Sequence, residues 1–262
     1  MSAGPPGGEP AAAPRTALVR LPREPVRATY VLLGAIGLVF LGQLLLAPFP
    51  GDVDPLLIFG AKVNELIVAG EWWRLITPVF VHGSLLHFFF NAYALYSLGR
   101  EVERFYGAAR FTLVFFFAGV AGTTASLWLS PAPSVGASGA IFGLIGAEAV
   151  LLYRNRALLG ERARAGLQNI LLIAAVNLVI GFQGGMRIDN WAHLGGLAGG
   201  LAMAWVVGPL WRLSPAPFVT PAGGLAYDLV DQQPPDGARL GLVLFLLAAL
   251  GGLIGGAIVL QS

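Results

Sequence analysis

Seven apolar stretches, near residues 29–47, 84–99, 111–129, 135–153, 167–183, 191–211 and 240–260, decide what this chain can fold into. Each approaches the length of about 17–25 residues that a helix needs to cross roughly 30 Å of hydrocarbon. Inside a bilayer the backbone amides must be paired within the segment itself, so such stretches become helices. Composition agrees: 56% of the 262 residues are apolar and 11% are charged, and the mean hydropathy is +0.73. A water-soluble domain of this length is not so apolar. The expected class is all-α, a polytopic membrane helix bundle surrounded by the lipid bilayer.

Four segments follow along the chain. Residues 1–28, rich in Pro, Ala, Gly and Arg and lacking an apolar run of their own, read as a flexible cytoplasmic tail, not a cleaved leader. Residues 29–211 hold a six-helix core. Residues 212–239 carry proline, glycine and acid in a pattern that suits a loose cytoplasmic linker better than a helix. Residues 240–262 form a seventh span. If the N-terminus is inside, only Lys62, Arg74 and Arg187 of the 16 Lys and Arg face outward. Positive loops stay cytoplasmic, so the N-terminus is expected inside and the C-terminus outside. Trp72, Trp73, Trp128, Trp191 and Trp211 fall near span ends, as an interfacial belt requires. The charges form no basic stripe, so no nucleic-acid partner is expected, and the absence of cysteine removes disulfides and thiolate chemistry.

With this topology, spans two, four and six run in one direction, and four polar residues fall on one level: His87, Asn91, Ser138 and His193. Polar groups are costly in hydrocarbon and face a bundle interior or a water-filled cavity. Singly, each also reads as helix packing: a serine bonds back to its own helix, and a His or Asn joins two helices. Together they suggest acyl transfer. A serine hydroxyl becomes a nucleophile when a base takes its proton, and histidine is the usual base near neutral pH. Ser138 and His193 form the natural pair. Gly139, Gly143, Gly196 and Gly200 allow close helix approach, and Gly136 precedes the serine in "GASGAIFG". His87 and Asn91, at i and i+4, share one face and offer N–H groups to a developing oxyanion, with the Ser138 amide as a further donor. Phe142 lies four residues after Ser138, beneath it, either supporting the His193 ring or packing against lipid or core. No Asp or Glu stands out as a third triad member, so a dyad is inferred.

The motifs resemble those of the rhomboid family of intramembrane serine proteases, in order from about Trp73 to Gly200. They comprise "WR" at Trp73–Arg74, "HGSLLHFFFN" as H-x4-H-x3-N, "EVERFYG" with Glu103 and Gly107, "GASG" around Ser138, and "AHLGGLAGG" as A-H-x2-G-x3-G. The resemblance implies a six-helix core with a water-accessible cavity open to the outer side, followed here by one extra helix. Ser138 would be the nucleophile, His193 the base, and His87, Asn91 and the Ser138 amide the oxyanion donors. His82, Arg74 and Glu103 would be structural.

The expected activity is therefore hydrolysis of a peptide bond in or beside the transmembrane helix of single-span or other membrane-protein substrates, with no cofactor or metal. The expected location is a bacterial plasma membrane. Substrates with Gly, Pro or small residues near the outer end of their span are favoured, because a regular helix hides its carbonyls. Glu148, about 15 Å below Ser138 along a helix, is too far to take part. Gln43 and Asn177 read as helix-packing groups, and Asp52, Asp54, Asn64 and Glu65 as solvated in a long outer loop. Two other classes remain: a rhomboid-fold protein that binds membrane clients without cleaving them, which intact Ser138 and His193 argue against, and a small transporter, which should show polar groups across the whole membrane or an inverted repeat.

Overall fold

A computed structural model describes residues 18–21, 23–49, 51, 53–182, 188–220, 224–234 and 236–262. The N-terminal tail up to residue 17, including Arg15, lies outside the described residues, as do Asp52 and Arg187. Long helices occupy the apolar stretches. Helix α1 (Ala28–Leu46) is followed by two short helices, α2 (Pro55–Gly60) and α3 (Asn64–Val68). Helix α4 (Leu85–Ala94) continues through a π-helical segment, Leu95–Gly99, into α5 (Arg100–Leu129). At Gly107, φ 75° and ψ 161° break α5 into two helices. A side chain rarely tolerates that φ, which is why a glycine divides spans two and three. Then come α6 (Ser138–Arg154), the short α7 (Arg156–Leu159), α8 (Glu161–Phe182), α9 (Asn190–Val207) and α10 (Gly237–Gln261).

Helix α1, the segment Leu85–Leu129, α8 and α10 are long and apolar enough to cross a membrane. Helices α6 and α9 are shorter and richer in glycine, because much of their surface meets protein and not lipid. They pack on each other and on α5 around Phe111, Phe115, Leu144 and Met203. The contact is backbone on backbone. A methyl group on Gly196 would strike the carbonyl of Gly139, one on Gly200 the backbone of Gly143, and one on Gly143 the Cβ of Ala118 in α5. Dispersion between closely apposed backbones replaces the hydrophobic effect, which is weak between helices already in lipid.

The 212–239 segment, expected to be loose, instead contributes to a small sheet. Strand β1 (Leu18–Arg20) pairs in parallel with β4 (Leu225–Asp231), which also pairs antiparallel with β2 (Trp211–Leu213) and β3 (Phe218–Val219). The strands are brief and separated by Pro-rich and Gly-rich turns, so the turn residues dominate the composition and hide them. The sheet also carries a consequence for topology. Pairing β1 with β4 puts the chain before α1 and the α9–α10 connection on one face of the helix bundle. Further contacts join the same face: Glu24 N donates to Arg104 O at 2.8 Å, Arg110 pairs with Asp231 at 2.7 Å, and Asn155 Oδ1 accepts from Trp211 N at 2.8 Å.

Trp211, Asn177 and Asn64 sit differently from their sequence assignment. Trp211 is buried against Phe105, not part of the interfacial belt, because β2 folds back under the helix ends. Asn177 is exposed, and among the described residues it bonds to Ile173 O of its own helix and to no other helix. Asn64 is buried and not solvated, because the 47–84 segment folds through α2, α3 and two 3-10 turns instead of extending into water.

Replacing Gly196 with Ala should lower the melting temperature in detergent by the equivalent of about 1–3 kcal/mol, since the methyl meets a backbone carbonyl that cannot rotate away. Gly255→Ala, where nothing lies within 4 Å, should leave it unchanged or slightly raised.

Candidate active site

Helices α4, α6 and α9 begin at one level, and each brings a polar side chain there in its first two turns. Ser84 caps α4 by accepting from His87 N at 3.2 Å. Asp189 caps α9, accepting from Ala192 N at 3.0 Å, while Ser126 Oγ donates to its other oxygen. Ser138 is the first residue of α6. The first amides of a helix have no partner within it, so the three helix starts turn N–H groups and the positive ends of their dipoles toward this level.

His193 Nε2 lies 2.8 Å from Ser138 Oγ. The His193 ring stacks on Phe142, with centroids 4.3 Å apart and planes inclined by 10°. This contact fixes the plane of the imidazole. His193 Nδ1 has no hydrogen-bond partner among the described residues. Asp189, one turn before it, is directed to the helix cap and to Ser126. Among the described residues, no carboxylate bonds to His193 Nδ1 beside the Ser138–His193 contact.

His87 and Asn91 border the same space from α4. Gly136, at φ 110°, bends the chain two residues before Ser138, and a methyl there would lie 2.5 Å from His87 Nε2 and 3.8 Å from Asn91 Nδ2. Asn91 is buried, and Nδ2 donates to His87 O at 2.9 Å, leaving its second N–H for another acceptor. A cavity of about 20 Å³ lies against Gly136, Ser138, Gly139 and Ala192, room for roughly one water. The structure thus brings together Ser138, His193, His87, Asn91, Gly136 and Phe142, while Gly139, Gly196 and Gly200 serve as the packing seam behind them. Such a place can activate a hydroxyl and hold a developing oxyanion.

The supporting residues lie around it. His82 is buried beside the rings of Phe40, Phe88 and His87, and its backbone exchanges two hydrogen bonds with the Gln43 amide. Gln43 Nε2 also reaches Asp54, which caps α2, so neither is a free surface group. Arg74 donates to Ile58 O and Ala61 O, each at 2.7 Å, and pairs with Glu71. Glu103 accepts from the Arg27, Ala28 and Thr29 amides and from the Thr29 hydroxyl, capping α1.

Sequence reasoning passed over Lys62. Fully buried, its ammonium donates to the carbonyls of Ser126, Ser130 and Ala132 at 2.7–3.2 Å. Its backbone exchanges two hydrogen bonds with Ser134, and Gly136 N donates to Pro78 O at 2.8 Å. The stretch that delivers Ser138 is therefore clamped to the 47–84 segment at both points. One signal was available: Lys62 is the single lysine of the chain, on the side where cations are sparse.

Residues 69–210 match the family profile described as the Rhomboid domain. Among curated proteins, rhomboid protease GluP of Bacillus subtilis is 46% identical over 60% of this chain and 30% of its own length. Two Arabidopsis thaliana proteins follow. RHOMBOID-like protein 9, chloroplastic, is 35% identical over 60% of this chain and 36% of its length. RHOMBOID-like protein 5 is 34% identical over 63% of this chain and 52% of its length. The chain thus spans about a third to a half of the length of these three relatives.

Burial draws the Lys62 ammonium down to about 8 from an ordinary 10.5, against the opposing pull of Asp189 and Glu65. The folded protein then holds this proton less tightly than the unfolded chain. The stability contributed by the group is least below about pH 8 and grows as pH rises toward 10.5. The melting temperature of the wild type should therefore gain on that of Lys62→Met between pH 7.5 and 10, in one detergent.

Proposed function

The chain belongs to the rhomboid family, and from that premise we propose that it is an intramembrane serine endopeptidase acting on membrane-protein substrates. The 2.8 Å approach of Ser138 Oγ to His193 Nε2 is the observation that supports this reading most directly. In the proposed reaction Ser138 Oγ attacks the scissile carbonyl carbon while its proton passes to His193 Nε2. The carbonyl oxygen becomes an oxyanion, held by the Ser138 amide and by N–H groups of His87 and Asn91. As the intermediate collapses, the C–N bond breaks, His193 protonates the leaving amine, and an acyl ester remains on Ser138. A water, deprotonated by His193, then releases the acid and restores the hydroxyl. Side chains and water suffice for every step.

The six-span part, residues 29–211, is the proposed catalytic core, and 240–262 an appended span. The substrate bond lies in or near the outer end of a transmembrane helix weakened by Gly, Pro or small residues, whose carbonyls are free to enter the site. The arginine distribution supports an N-terminus in the cytoplasm and a C-terminus outside, and the proposed location is a bacterial plasma membrane.

Reconstituted protein presented with a panel of single-span substrates should yield defined cleavage products by mass spectrometry. Ser138→Ala and His193→Ala should each abolish them without loss of folding, with the double variant no worse than either. Intact cleavage by Ser138→Ala overturns the assignment, and a wild type that retains substrates uncut points to client binding.

An oxyanion donor acts mainly in the transition state. Asn91→Ala should lower kcat by roughly 10²–10³-fold with KM and melting temperature nearly kept. His87→Ala should behave similarly and melt somewhat earlier. Full turnover by an Asn91→Ala variant that melts far earlier would make the residue structural.

A further inference from the structure

At the far end of α6 and α9 from Ser138, the helices leave a groove of about 480 Å³ against α8, lined by Ala149, Val150, Tyr153, Leu167, Leu201 and Trp205. That volume is in the range of built ligand sites, and its walls are hydrocarbon and aromatic. Its two aromatic residues, 6.3 Å apart, each carry a cation. The Arg156 guanidinium lies 4.3 Å over the Tyr153 ring and that of Arg154 lies 5.2 Å over Trp205. Nη1 of Arg156 donates to Tyr153 O at 2.7 Å, and Nη1 of Arg154 to Trp205 O at 2.9 Å. The ion pairs among the described residues use Arg20, Arg74, Arg104, Arg110 and Arg239. Arg154 and Arg156 take part in none of these contacts, although Asp231 lies near enough to Arg154 to attract it, and they stand at the mouth of an apolar slot.

The geometry points to a binding site for one anionic phospholipid, its acyl chain in the groove and its phosphate between the Arg154 and Arg156 guanidinium groups. A guanidinium fork suits phosphate oxygens, and a basic pocket between transmembrane helices takes anionic headgroups. Tyr153 and Trp205 hold the two forks, and Arg162 and Arg164 add to the positive field of the same connection. A second copy of the chain would bring like charge against like. A substrate helix fits poorly too, because Tyr153 is about 22 Å along α6 from Ser138. The lipid would bridge α6, α9 and α8, and α8 also packs through Ile170 and Ala174 against the cluster containing Phe142, the residue stacked on His193.

The test uses the full chain, purified in a neutral detergent, with phosphatidylglycerol or phosphatidylcholine of the same acyl chains added, and retained lipid read by native mass spectrometry and by melting temperature. Phosphatidylglycerol should bind at least tenfold more tightly, as a single stoichiometric adduct, and raise the melting temperature. Arg156→Gln, at an exposed position, should lose about tenfold of that preference, while Arg104→Gln, outside the groove, should keep it. Inorganic phosphate at matched concentration should not reproduce the thermal shift. Equal retention of the two lipids, an Arg156→Gln protein indistinguishable from wild type, or an equal effect of inorganic phosphate would each overturn the proposal. If Arg156→Gln fails to fold, the comparison of the two lipids on the wild type still decides it.

Discussion

The arrangement rests on backbone meeting backbone between α6 and α9. Ser138 lies one residue before Gly139 and His193 three before Gly196, so the seam that joins those two glycines also sets the separation of the two side chains. A bulkier seam would part the helices, and a hydrogen bond does not survive being stretched by an ångström. Gly143 extends the same constraint to α5 through Ala118, which makes three helices one rigid body behind the serine. Precision at the site comes from an absence of side chains beneath it.

Around that seam the protein joins its connections on two faces by different means. On the serine side, the buried ammonium of Lys62, the Asn64 amide and the Arg74 guanidinium satisfy carbonyls that would otherwise lack partners at helix ends and turns. On the other side, a small sheet and the Asn155 and Asp231 side chains do the joining. Lipid-exposed backbone tolerates no open groups, so the irregular segments must be closed internally wherever they lie near the hydrocarbon.

Much of this was legible in the sequence, because the information was local. The length of each apolar run announced a helix, and the spacing of His87 and Asn91, or of Ser138 and Phe142, already put each pair on one helix face. The coming together of different helices followed only from topology and the glycine spacing. What escaped had no periodic signature. Lys62 and Asn64 look like loop residues until the partner carbonyls of Ser126, Leu127 and Ser130 come alongside. Asp54 and Gln43 are likewise understood only as a pair, since one caps α2 while the other ties α1 to the backbone of His82. Strands as short as Phe218–Val219 vanish among their prolines, and the burial of Trp211 depends on Phe105 from a distant helix.

The pairing of β1 with β4 bears on the order in which the molecule is made. Arg20 and Asp228, which close it with a bidentate ion pair, are 208 residues apart. Synthesis runs from the N-terminus, so the first strand leaves the ribosome long before its partner exists. It must wait, on the face where it emerged, while the helices between the two strands are made. The sheet therefore cannot close until Asp231, at the end of β4, has been made, after every helix from α1 to α9, and only if both strands lie on the same face.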